Sequence, residues 1–252
     1  MTDILAAAVP RVLAAIAPHV DAKVWTAALI DPMRSSGITT ASRIAMFLGQ
    51  VAVETEFEEL RECLYYSRSS RILQEWPDEF AHLSPIAYIG RPEALGNFVY
   101  AYRLGNGDVG SGDGYRFRGA GLTQITGRTD HARFAASVGR ELDEAAAWCE
   151  TPEGAAAAGC WDWTANYGGK LNALSDAWDI RSVTRAVNGS WINLSERVLN
   201  CNHARAAIAG LAPPSAPNRV APRTPAAPQQ SEADRLDNLY NPPAALPAST
   251  GT

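Results

Sequence analysis

Residues 47–67 read FLGQVAVETEFEELRECLYYS, an apolar run that ends in a cluster of acids. Five carboxylates, Glu54, Glu56, Glu58, Glu59 and Glu62, fall within nine positions. Ile44, Phe47, Leu48, Val51 and Ala52 are spaced i, i+3, i+4, i+7 and i+8, which predicts a helix over 40–54 with one buried stripe. Thr40 stands where an N-cap belongs. Phe47, Val51 and Glu54 keep the same spacing, so Glu54 continues the stripe. A carboxyl on an apolar surface pays a desolvation cost when ionised, a setting that suits a general acid at neutral pH. The alternative is a frayed last turn that leaves Glu54 in solvent.

Glycosidic hydrolysis by direct displacement needs a second carboxylate, about 6.5–9.5 Å from the first, with a water beside it. On one straight helix Glu54 and Glu62 would be separated by about 12 Å of rise. The helix is therefore expected to break around Glu56 to Glu59 and fold Glu62 back towards Glu54, leaving Glu56, Glu58 and Glu59 as a solvated face. The cluster alone does not choose the second acid.

Outward from this segment, helical patterns dominate. Residues 4–19 are apolar and Ala-rich, with an expected break at Pro10. Residues 105–128 are glycine-rich and loop-like, and helical patterns follow near 129–137, 153–167, 180–187 and 193–209. Strand signals are few and short. The fold class expected is mainly α, with at most a small β-hairpin. Composition breaks near Ala212: residues 212–252 hold nine of the sixteen prolines and lack aliphatic periodicity. The chain divides into a domain over 1–211 and a Pro/Ala-rich disordered tail over 212–252. Within that tail, SEADRLDNLY (231–240) has the pattern of a short helix that offers a delivery partner a weak groove contact.

The 252 residues carry a formal net charge of −5, which gives no electrostatic reason to bind nucleic acid or an anionic membrane. No stretch is long enough to span a bilayer. The first twenty residues do not read as a secretory signal, because Asp3 precedes the apolar run and Pro10 and Arg11 interrupt it. Synthesis in the cytoplasm is expected, with release or export by other machinery. The four cysteines, Cys63, Cys149, Cys160 and Cys201, form no CxxC pair or zinc spacing and read as reduced structural thiols. Cys63 adjoins the acids, which disfavour a thiolate, and is not read as a nucleophile. No metal or cofactor is expected.

Three ordered motifs give a more specific signal. FLGQVAVETEFEELRECLYYS resembles a helix of the form FLAQxxHES that runs into F-x-x-L-x-E-N-L-x-Y-S. YRFRGAGLTQITGR (115–128) is similar to Y-R-x-R-G-R-G-L-I-Q-L-T-G, and TRAVNGSWINLSERV (184–198) to T-R-x-I-N-G-G…A-D-R. AAAAGCWDWTANYGGKLNALSD resembles the helix between the last two. These are the motifs of glycoside hydrolase family 19, most closely its bacteriophage endolysin and bacterial lysozyme-like branch.

The resemblance implies a lysozyme-like, bilobed helical fold and single-displacement hydrolysis, with inversion, of β-1,4 bonds between N-acetylated sugars. By position, Glu54 is the general acid and Glu62 the base. Gln124 and Asn188 bind the sugars, Thr126 helps to hold the water, and Arg197 pairs with the carboxylates. Tyr115 and Arg118 are looser candidates for the cleft wall. Four departures stand out: Val53 replaces a His, Thr55-Glu56 replaces Gly-Gly, Ala120 replaces an Arg, and Thr123 replaces an Ile. The expected partner is a peptidoglycan glycan strand, met by a monomer. Alternatives are a chitinase, a catalytically quiet wall-binding module, and a secreted antibacterial effector on the same scaffold.

Overall fold

The computed structural model describes residues 4–211. The Pro/Ala-rich tail expected over 212–252 lies outside the described residues. The described chain is mainly helical, with twelve α-helices: α1 (Ile4–Ile16), α2 (Ala22–Ser35), α3 (Ala41–Thr55), α4 (Ser69–Glu75), α5 (Pro92–Val99), α6 (Asp113–Arg116), α7 (Arg128–Val138), α8 (Leu142–Trp148), α9 (Pro152–Ala165), α10 (Lys170–Asp176), α11 (Ile180–Asn188) and α12 (Leu194–Ile208). β structure among the described residues is limited to two isolated antiparallel bridges, Arg61 to Ala120 and Ala120 to Ile125.

The helix predicted over 40–54 is α3, and it is the axis of the domain. Thr40 caps it, its hydroxyl accepting from the Arg43 N–H at 3.2 Å. Every residue from Ile44 to Ala52 is buried, so the expected stripe is instead all-round burial, the mark of a helix packed on every side. Its most extensive neighbour is α12, followed by α1, α10 and α11. The α3–α12 contact is close at Gly49: a Cβ there would stand 2.7 Å from the Cys201 backbone nitrogen and its sulfur. The main core joins Val9 and Leu13 of α1, Phe47 and Val51 of α3, Trp163 of α9, and Ala204 and Ile208 of α12. Phe47 and Trp163 meet edge to face at 5.2 Å.

The expected break at Pro10 does not occur, and α1 runs through it. A proline inside a helix removes one hydrogen bond and costs roughly 3 kcal/mol. Five fully buried side chains offset that cost: Leu5, Ala8, Val9, Val12 and Leu13 on the core face. The pattern 153–167 ends early, at Ala165, because Gly168 and Gly169 turn left-handed before α10. Helix α2 was not anticipated; Asp21 caps it by accepting from the Lys23 and Val24 N–H groups. Two smaller clusters complete the domain. One joins Ile72, Phe80, Leu95 and Val99, and the other joins Ala120, Ile125, Phe134 and Cys149. The four cysteines are free, with Cys63 exposed and the other three buried.

Gly49→Ala sets two effects against each other. Helix propensity favours alanine by about 0.8–1.0 kcal/mol. The new methyl meets backbone at Cys201, which cannot rotate away, and overpacking of this kind costs about 1–3 kcal/mol. A net loss of stability is expected in urea unfolding; a stabilised Gly49→Ala protein would mean that α12 recedes from α3 freely.

Candidate active site

The site begins where α3 ends. Glu56 and Phe57 adopt left-handed backbone conformations, with φ of 49° and 60°. Thr55 holds the turn: its hydroxyl accepts from the Phe57 N–H at 3.2 Å, and its carbonyl accepts from Glu58 and Glu59 at 2.9 and 2.8 Å. Glycine adopts this backbone without cost, and here two residues with side chains, Glu56 and Phe57, adopt it. The expected break is therefore present, and Glu56, Glu58 and Glu59 are exposed.

Past the break the chain pairs with the glycine-rich loop. The Glu62 N–H donates to the Gly119 carbonyl at 2.8 Å, and the Gly121 N–H to the Leu60 carbonyl at 2.9 Å. Ala120 and Ile125 exchange hydrogen bonds at 3.1 and 2.9 Å. Ala120 is fully buried in this ladder. Residues 105–128 are thus more ordered than the loop expected from their glycines.

Glu54 is not on an apolar surface. Its carboxylate accepts from Arg197 at 2.6 Å; the arginine side chain is 1% exposed and the glutamate 18%. The same guanidinium donates to the Gln50 side-chain oxygen at 2.9 Å, and the Gln50 amide reaches the Thr184 hydroxyl at 3.1 Å. Gln50 and Glu54 lie one turn apart on α3, so one arginine from α12 clamps both. The apolar stripe misled about the environment of Glu54 because helical periodicity does not register a partner 143 positions away.

Burial perturbs the Glu62 carboxyl. Desolvation raises its pKa above the usual range. Four groups oppose that shift: the Tyr100 hydroxyl, donating at 2.8 Å, the Gly119 N–H, donating at 3.1 Å, and the charges of Arg118 and Arg61. Tyr100 is itself raised, by burial and by the glutamate it faces. Tyr100 closes α5 and was not singled out from the sequence. No pattern marks a tyrosine 38 residues away as a partner of Glu62.

The remaining predicted residues fall in two places. Gln124 sits in the bridged loop at φ 55°, its amide donating to the Gly121 and Glu59 carbonyls at 2.9 and 3.3 Å, so its side-chain oxygen is the atom left to accept. Thr126 donates to the Gln124 carbonyl at 2.9 Å. Arg118 donates to the Glu62 and Tyr115 carbonyls at 3.0 and 2.7 Å and stacks 3.9 Å from the Tyr115 ring. These two therefore hold the Glu62 segment to the loop. Asn188 lies at the end of α11, one turn beyond Thr184, and its side-chain oxygen accepts from the Ser190 hydroxyl at 2.7 Å. Two cavities, of about 240 and 400 Å³, include neither Glu54 nor Glu62 in their walls, although the first is lined by Ala52 and Glu56 at the end of α3 and by Glu196 of α12.

The described chain is thus a mainly helical protein with two acids on either side of a helix break, each held by its own donors. No family model matches the chain. A comparison with curated proteins finds 33% identity over 193 residues to a Haemophilus influenzae protein described as a glycosyl hydrolase family 19 domain-containing protein. The match covers 72% of this chain and 88% of that protein. The chain belongs to glycosyl hydrolase family 19, and its activity class is glycoside hydrolysis.

Tyr100→Phe removes a hydrogen bond that favours ionised Glu62. The Glu62 pKa is expected to rise further, read as an upward move of its carboxyl titration midpoint by carbon-detected NMR. An unmoved midpoint would show that the Tyr100 hydroxyl does not act on this carboxylate.

Proposed function

We propose that the chain cleaves β-1,4 bonds between the N-acetylated amino sugars of peptidoglycan, as an endolysin-type muramidase working by single displacement with inversion. The observation that carries this reading is the separate holding of two acids: Glu54 against Arg197 at 2.6 Å, and Glu62 against Tyr100 at 2.8 Å. Glu54 gives its proton to the glycosidic oxygen as the bond to the anomeric carbon breaks. Glu62 takes a proton from the water that attacks the opposite face of the sugar. The two transfers leave one hydroxyl on each product and invert the anomeric centre. Gln124 and Asn188 meet the N-acetyl groups, and Thr126 helps to hold the water. Arg197 fixes the Glu54 carboxyl and supplies compensating charge as that group loses its proton. Tyr115 and Arg118 support the wall of the cleft.

A base works ionised. Burial raises the Glu62 pKa, so activity is lost as pH falls through that raised value, and Tyr100→Phe moves the acidic limb of the kcat/KM profile to higher pH. Movement of the alkaline limb instead would make Glu62 the acid.

Mass spectrometry of digested peptidoglycan identifies the bond, because the new reducing end names the sugar whose anomeric carbon was in the cleaved bond. Soluble muropeptides ending in a reducing muramic acid are expected. Glu54→Gln keeps an oxygen for Arg197 while removing the transferable proton, and Glu62→Gln removes the base. Each is expected to lower turnover by about 10²–10⁴-fold. Digestion of chitin with intact sacculi would assign the enzyme to chitin, and wild-type turnover in either folded variant would end the two-carboxylate mechanism.

A further inference from the structure

Beside Asn188 the fold builds a patch that the two acids do not use. The loop after α11 presents Trp191, 47% exposed, and Ile192, 63% exposed. Two exposed arginines of α11 stack on that indole, Arg181 at 4.6 Å and Arg185 at 5.0 Å from the ring centroid. They lie one turn apart and therefore share a face of the helix. The nearest acid in sequence, Asp179, is engaged elsewhere: it caps α11, accepting from the Ser182 N–H at 3.1 Å and hydroxyl at 2.8 Å. Arg34, Arg43, Arg61, Arg103, Arg128 and Arg197 each meet a carboxylate. Among the described residues, Arg181 and Arg185 meet none.

Stacking on an indole holds a guanidinium in place without consuming its N–H groups. Those groups form a planar fork matched to a carboxylate, and an oriented fork loses less freedom on binding than a free side chain. The loop is tied to the sugar-binding candidate: the Ser190 hydroxyl donates to Asn188 at 2.7 Å and accepts from the Ile192 N–H at 3.2 Å. The patch therefore adjoins Asn188, where the proposed reading puts an N-acetyl group of the strand. A neutral strand such as chitin offers the two cations nothing, whereas peptidoglycan carries carboxylates on its stem peptides. We propose that Arg181, Arg185 and Trp191 form a subsite for the carboxylates of the peptidoglycan strand, and that this subsite selects peptidoglycan over neutral chitin. The proposal rests on the peptidoglycan reading above.

The test is co-sedimentation of the full chain with three insoluble or particulate probes. These are purified sacculi, the same sacculi with carboxyls amidated by carbodiimide and ammonia, and phosphatidylglycerol vesicles. Amidation and the double substitution R181Q/R185Q are each expected to weaken sacculus binding about tenfold at low salt, and the effect shrinks as salt screens exposed charge. Amidation adds little once both arginines are gone. R181K/R185K, which keeps charge without the fork, recovers part of the affinity. Equal binding to native and amidated sacculi, or unchanged binding by R181Q/R185Q, overturns the subsite. Loss confined to the vesicles also overturns it and marks a membrane contact instead. Muropeptide release by the wild-type chain is scored separately. Carboxylate-dependent binding without release retains the subsite and removes the hydrolytic reading, whereas release with charge-independent binding does the reverse.

Discussion

Arg197 is the interaction on which the site depends. A guanidinium that is 1% exposed must be compensated where it lies, because an isolated buried charge is costly by several kcal/mol. Gln50 and Glu54 supply its hydrogen-bond acceptors, both from the last two turns of α3. The arginine reaches them because Gly49 lets α12 approach α3 to backbone contact at Cys201. A residue without a side chain, a buried cation and a carboxylate thus form one unit. The packing that stabilises the domain is also what aims Glu54.

Glu62 is held by different means. Two left-handed residues end α3, and the chain then pairs with the loop around Gly119. Burial of Glu62 favours the neutral form, and Tyr100, Gly119, Arg118 and Arg61 pull the other way. One acid therefore answers to a single buried cation and the other to a balance between desolvation and several donors. Paired acids in unlike settings are what a division of proton-handling roles requires.

Much of this was legible in the sequence, and the reasons differ by element. Helix α3 declared itself through periodicity and Thr40, since burial on a helix leaves a repeating trace. The break after Thr55 followed from the rise of a helix and the reach of two acids. Position in a resembled motif picked out Arg197, although nothing local ties it to Glu54. Tyr100 and Gln50 escaped notice: one hydroxyl far along the chain, and one amide that is polar inside an apolar run. The run through Pro10 was missed because one lost hydrogen bond weighs less than five buried side chains, and only packing reveals the second number. Helix α2 was missed because its two ends carry the signal, Asp21 and Ser36, while its interior is a mixture.

Arg197 and Glu54 act as a unit, and a double-mutant cycle measures their coupling. Stabilities of wild type, Glu54→Gln, Arg197→Met and the double variant by urea unfolding give the coupling energy. Contacting groups in one network show interaction energies of about 0.5–3 kcal/mol. A value within that range is expected, with the double variant less destabilised than the sum of its parts. Additivity to within about 0.3 kcal/mol would contradict it, since the buried cation would then find its compensation elsewhere.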